Sequence, residues 1–211
     1  MSQQKIPFSP GFTYHLWAHA NGSEDLFRTD DNYRYFLQRY NYFIYPVAET
    51  FAYCLMPNHL HLMIRVRSER EVLRYLRVKK GDPNFQDFES LGGFSSVISQ
   101  QFSNLFNGYA QSYNHKFERK GSLFIPNFKR KLIDSDEYLA SLVAYIHNNP
   151  VHHGFVKKPG DWPFSSWQSY LINQNLPINK QEGLQWFGGR ETFRKAHQEV
   201  NVSKLKSVFE E

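Results

Sequence analysis

The sequence predicts an α+β fold in which an antiparallel sheet carries helices packed on one face. Three observations carry this expectation. Apolar residues alternate with polar ones over residues 11–20, 51–55 and 59–66, the period of a strand. They recur at i, i+3, i+4 and i+7 over residues 30–43, 95–118 and 135–150, the period of a helix. The Met56-Pro57-Asn58 link between the second and third strands is too short for a parallel crossover, so those two strands must pair as an antiparallel hairpin.

In order, residues 11–20 read as a first strand, leading through Asn21-Gly22-Ser23 and Leu26-Phe27 into a helix over residues 30–43. Tyr33, Phe36, Leu37 and Tyr40 share a face there and belong to a core. After the hairpin, residues 69–79 are helix-compatible and basic, and residues 81–93 form a loop with turn residues at both ends. Ser95 or Ser96 is the expected cap of a long helix whose stripe is Ile98, Phe102, Leu105, Phe106, Tyr109 and Tyr113. The other side of that helix is rich in uncharged amides, among them Asn107, Gln111 and Asn114. Residues 124–133 return as an extended segment.

The next helix has Asp134 or Ser135 as its expected cap and Leu139, Leu142, Val143 and Ile146 as its core face. Pro150 is expected to end it, because a proline pushes the preceding residue out of the helical region. Tyr145 and Asn149 are i, i+4 neighbours on the border of the core face, so a phenol and an amide are offered together. The domain spans residues 1–171. Asn173-Gln174-Asn175-Leu176-Pro177 reads as a linker to an appendage over residues 172–211, within which Trp186-Phe187-Gly188-Gly189 makes a turn.

Composition limits the function classes. With 211 residues there is enough chain for one proper core plus the appendage. Cys54 is the single cysteine, which excludes a disulfide framework and reads as an inert buried thiol. No apolar run suits a membrane span and no signal segment begins the chain, so a cytoplasmic protein without a membrane partner is expected. The net charge of +5 is modest, but its distribution is not even. Arg65, Arg67 and the cations of residues 70–80 form one cluster, and Lys116, Arg119, Lys120, Lys129, Arg130 and Lys131 form another. Both suit phosphates, and both equally suit solvated helix faces.

The chemistry-bearing motif opens the third strand. In Asn58-His59-Leu60-His61-Leu62, side-chain alternation puts His59 and His61 on one face and the apolar residues on the other. Residues i and i+2 of a strand lie about 7 Å apart, so both imidazoles can converge on one cation.

Met56-Pro57-Asn58-His59-Leu60-His61 followed by Tyr145-Ile146-His147-Asn148-Asn149-Pro150-Val151-His152-His153-Gly154 resembles the HUH single-tyrosine transposases, most closely their REP-associated tyrosine transposase branch. Further matching pieces are Tyr14-His15-Leu16-Trp17, Gly121-Ser122-Leu123-Phe124 and Asp161-Trp162-Pro163-Phe164-Ser165-Ser166. The resemblance implies a ferredoxin-like sheet with the histidines on a central strand and the tyrosine on a C-terminal helix. It implies His59, His61 and Asn149 as ligands of a divalent metal, magnesium or manganese, and Tyr145 as nucleophile. The implied reaction is cutting and rejoining of single-stranded or hairpin DNA through a covalent 5′-phosphotyrosine, in a homodimer or a monomer.

Other tyrosines compete for that role. Tyr138 lies one heptad before Tyr145 on the same face, while Tyr109 and Tyr113 fall in an apolar stripe. His15 and His19 alternate on the first strand and suit substrate contacts, and His152 and His153 suit solvent or phosphate. The competing function is a catalytically silent or domesticated repeat-DNA-binding protein with the same fold.

Overall fold

The computed structural model describes residues 6–172 and 177–210. Four strands, β1 (Thr13–His19), β2 (Ala48–Leu55), β3 (His59–Val66) and β4 (Lys129–Ile133), form one sheet in the order β2-β3-β1-β4. Every neighbouring pair is antiparallel. Helix α1 (Asp30–Phe43) connects β1 to β2, and α2 (Glu69–Lys80) and α3 (Phe94–Lys116) connect β3 to β4. Two interleaved β-α-β units result, the ferredoxin-like arrangement.

One sheet face presents Tyr14, Leu16 and Ala18 from β1 and Leu60, Leu62, Ile64 and Val66 from β3. Against it lie Phe36 and Tyr40 of α1 and Ile98, Phe102, Leu105 and Tyr109 of α3. The other face carries Met63 with the histidines, and it too is covered. Helix α4 (Glu137–His152) lays Leu139, Leu142, Val143 and Ile146 over Phe51, Ala52, Cys54 and Met63. The expectation of helices on one face is therefore corrected to helices on both. The histidine strand is buried on its two sides, and a strand so placed must be covered twice.

Three boundary expectations are also corrected. Helix α3 is capped by Gly93, because Ser95 Oγ is occupied in accepting the Phe8 amide N–H at 2.9 Å. Asp136, not Asp134 or Ser135, precedes α4. Pro150 lies inside the last turn of α4 and does not end it. A proline so near a C-terminus removes a single intrahelical bond, and the turn is closed behind it by His153 N–H donating to the Asn149 carbonyl at 3.0 Å.

Most of the expected linker, residues 173–176, lies outside the described residues. After α5 (Trp167–Leu171), helices α6 (Lys180–Phe187), α7 (Arg190–Glu199) and α8 (Val202–Glu210) gather on α4. Gly188 and Gly189 turn the chain between α6 and α7, with φ of 76° and 126°. Phe193 of α7 and Phe209 of α8 are buried in the core of α4. Among the described residues no helix is long and apolar enough to cross a membrane.

Leu142 is fully buried between α4 and the sheet. Leu142→Ala should lower the unfolding free energy by about 2–5 kcal/mol, read from the urea midpoint at unchanged slope. A loss under about 1 kcal/mol would show that α4 is held by something other than this packing.

Candidate active site

The site begins at the turn before β3. Leu26 and Phe27 donate their amides to the Pro57 carbonyl at 2.6 and 3.1 Å, and Ala20 donates to the Asn58 carbonyl at 2.7 Å. Tyr109 and Tyr113 direct their hydroxyls to the carbonyls of Leu26 and Asp25, both at 2.5 Å. These two rival tyrosines are thus struts for the turn. Burial raises the pKa of both.

Strand pairing then sets the histidines. In the β1–β3 ladder His19 stands opposite His59 and Trp17 opposite His61, all on the α4 face. His59 Nδ1 lies 2.8 Å from Asn58 Oδ1, and the amide oxygen makes that nitrogen the donor. His59 Nε2 is then the acceptor, and the Asn149 side chain interacts with this ring. The second histidine is oriented through a relay. His15 Nδ1–H donates to the Phe209 carbonyl at 3.2 Å, so His15 Nε2 accepts from His61 Nδ1–H at 3.1 Å. Both rings therefore carry their proton on Nδ1 and a lone pair on Nε2, the tautomer a metal ligand needs.

Tyr145 packs its ring edge-on to His61 at 5.7 Å between centroids and also touches His15. A cavity of about 110 Å³ is lined by His59, His61, Asn149 and Tyr145 together with His19, Asn58, His152, His153 and Lys206. The donor set fits a divalent cation: two imidazole acceptors and one amide oxygen facing a common space. Among the described residues no three His, Cys, Asp or Glu side chains form a metal cluster.

The four residues singled out as catalytic or metal-binding are thus brought together, and all are buried, Tyr145 to 1% exposure. Its cover is Phe209, whose ring lies 5.6 Å from that of Tyr145. Lys131 Nζ holds the end of the same helix by donating to the Val208 carbonyl at 2.6 Å. Tyr138 lies at the surface, 41% exposed.

Most of the basic candidates are placed elsewhere. Arg65 pairs with Glu182 of α6 at 2.7 Å, and Arg67 with Glu49 and Glu71. Arg119 binds Glu24 at 2.9 Å and three backbone or amide oxygens. Arg130 donates to the Ile6 carbonyl and lies over the Phe8 ring. Lys116 makes a loose 3.9 Å pair with Asp31, while Lys120 and Lys129 are exposed.

Sequence reasoning missed His15 and Asn58 as the partners that orient the two histidines, and Lys206 and Phe209 as part of the site. The alternation of His15 with Trp17 and His19 was a signal for the first. Nothing local marks the last two, since they arrive from the end of the chain.

No protein-family model matches the chain. A putative REP-associated tyrosine transposase of Haemophilus influenzae is 30% identical over 125 residues, 58% of this chain and 60% of that protein. A REP-associated tyrosine transposase of Escherichia coli K12 is 31% identical over 78 residues, 37% of this chain and 47% of that protein. The match thus spans about three fifths of one relative and about half of the other. In fold, the chain is similar to the structure of a REP-associated tyrosine transposase bound to a REP hairpin, with a TM-score of 0.52 and 22% identity over 82% of this chain and 87% of that one. In sequence the chain is similar to transposases of the single-tyrosine class that its motifs resemble. The particular relatives it matches, in sequence and in fold, are REP-associated tyrosine transposases.

Burial holds His15 and His59 at a pKa of about 3, His197 at about 4, and His61 and His147 well below their ordinary value. Free histidine titrates near ~6.5, so below that pH the unfolded chain binds more protons than the folded one. The metal-free protein should therefore lose thermal stability as pH falls from ~6.5 toward ~4, as scanning calorimetry across that range would show. A flat midpoint would mean that these rings are protonated in the folded state.

Proposed function

We propose that this protein is a metal-dependent DNA transposase or endonuclease that cuts and rejoins single-stranded or hairpin DNA through Tyr145. The observation that supports this most is the convergence of His59, His61, Asn149 and Tyr145 on one small cavity. The similarity to REP-associated tyrosine transposases supports the same class.

In this reading His59, His61 and Asn149 would hold magnesium or manganese, which when bound supplies positive charge to the scissile phosphate. The remaining work falls to the chain's own residues. Asn58 and His15 keep the ligand nitrogens unprotonated and aimed. The Tyr145 hydroxyl attacks phosphorus and gives up its proton, the bond from phosphorus to the 3′ oxygen breaks, and that oxygen takes up a proton. A 5′-phosphotyrosine and a free 3′-hydroxyl result. Because one phosphate ester replaces another, attack by a second 3′-hydroxyl reverses the step and joins strands without ATP.

A second reading, a silent DNA-binding protein, is favoured by one observation: Tyr145 lies beneath Phe209. Incubation with labelled hairpin DNA and manganese separates the two. Wild type should form a covalent adduct on a denaturing gel, and Tyr145→Phe, which removes one oxygen and almost no volume, should bind the hairpin but form none. His59→Ala and His61→Ala should each reduce adduct formation by at least about 100-fold, as loss of a metal site does. Persistence of the adduct in these variants would refute the assignment.

Phe209→Ala removes the cover while leaving the histidine relay, which uses the Phe209 backbone carbonyl. The initial rate of adduct formation should rise. A fall would mean that α8 assists the reaction, for example through Lys206.

A further inference from the structure

A groove of about 560 Å³ lies on the opposite sheet face, between α3 and residues 121–128. Its α3 wall presents Ser103, Asn107, Gln111 and Asn114, spaced to form one stripe along the helix. The facing wall presents Phe124 and Phe128, both partly buried in the core, and the exposed Ile125. Among the described residues no Asp, Glu, Lys or Arg side chain lines it. Asn107 and Gln111 are exposed, and among the described residues neither side chain has a hydrogen-bond partner. Asn114, by contrast, is spent on the Gly121 carbonyl and on Arg119.

The groove adjoins the candidate active site across one strand edge. Ile125 N–H donates to the His19 carbonyl at 2.9 Å, Asn21 N–H donates to the Leu123 carbonyl at 2.9 Å, and Ala20 bridges to Phe124. His19 lines the cavity of Tyr145. A chain leaving that cavity over the sheet edge would meet the groove next.

The lining fits one class of occupant. An amide side chain offers a donor and an acceptor side by side, the pattern that pairs with a base edge, most familiarly that of adenine. Phenylalanine rings offer surfaces on which unpaired bases stack. The exposed lysines Lys120 and Lys129 bracket the 121–128 wall at its two ends, where phosphates between successive bases would run. A base edge already used in a duplex is not available to be read in this way.

We infer that this groove reads unpaired nucleotides flanking the cleavage point, with Asn107 and Gln111 as the residues that set sequence preference. This rests on the transposase reading and adds to it where sequence choice is made. Neither residue belongs to the catalytic cavity.

The test uses the full chain and a labelled hairpin carrying a short randomised single-stranded extension on either side, with bound and unbound pools sequenced. Wild type should enrich particular bases in the extension. Asn107→Ala/Gln111→Ala should flatten that enrichment by about tenfold, the discrimination of a good amide–base pair. Its melting temperature should stay at the wild-type value, which separates lost base reading from lost folding. Substitution of Lys120 and Lys129 by Gln should instead weaken binding of all sequences together and reduce its salt dependence. Unchanged enrichment in the amide variant, or hairpin binding by wild type with no base preference, would overturn the groove assignment while leaving the transposase reading intact. Absence of any hairpin binding by wild type would overturn both.

Discussion

The antiparallel pairing of β1 with β3 is the constraint on which the rest of the site depends. It sets His19 opposite His59 and Trp17 opposite His61, and it brings His15 within hydrogen-bond reach of His61. A slip of β3 by one residue would send His59 and His61 to the α1–α3 face, away from the β1 side chains they meet. That slip is resisted by the opposite face, where Leu60, Leu62, Ile64 and Val66 would be carried out of the first core. The histidines are therefore held by apolar residues they never touch. Burial on both sides also keeps their rings neutral, which is the condition for presenting lone pairs to a cation.

The second core explains why the end of the chain belongs to the site. Helix α4 brings Tyr145 and Asn149 over the sheet, and α7 and α8 then close over α4 with Phe193 and Phe209. Within that core His147 donates to or accepts from Ser166 at 2.7 Å and His197 at 2.9 Å, and His197 Nδ1–H donates to the Phe193 carbonyl at 2.7 Å. Polar groups buried so completely must be paired, and here the pairing joins α4, α7 and the segment before α5. Helix α8 reaches further, from the backbone of Phe209 to His15 and from its ring to Tyr145. The helix that orients His61 through His15 is the same helix that covers Tyr145.

Much of this was legible in the sequence because it rests on short-range patterns. The His59-Leu60-His61 alternation and the i, i+4 pair Tyr145 and Asn149 specify faces, and those faces meet in the structure. The boundaries of α1 and β3 follow from the same periodicity. What was not legible depends on contacts distant in sequence. Ser95 caps nothing because Phe8 takes its oxygen, and Arg65 is tied to Glu182, a residue 117 positions away. Helices on the second face could not be inferred from β3 alone, since histidines on a strand read as polar until Phe209 and α4 are known to cover them.

The central claim is that Tyr145 acts as the nucleophile of this site. Proteolysis and mass spectrometry of the wild-type protein after reaction with hairpin DNA and manganese test it most directly. The account predicts a nucleotide-bearing peptide whose modified residue is Tyr145. A nucleotide on Tyr138, or no modified tyrosine with hairpin and metal both bound, would contradict it.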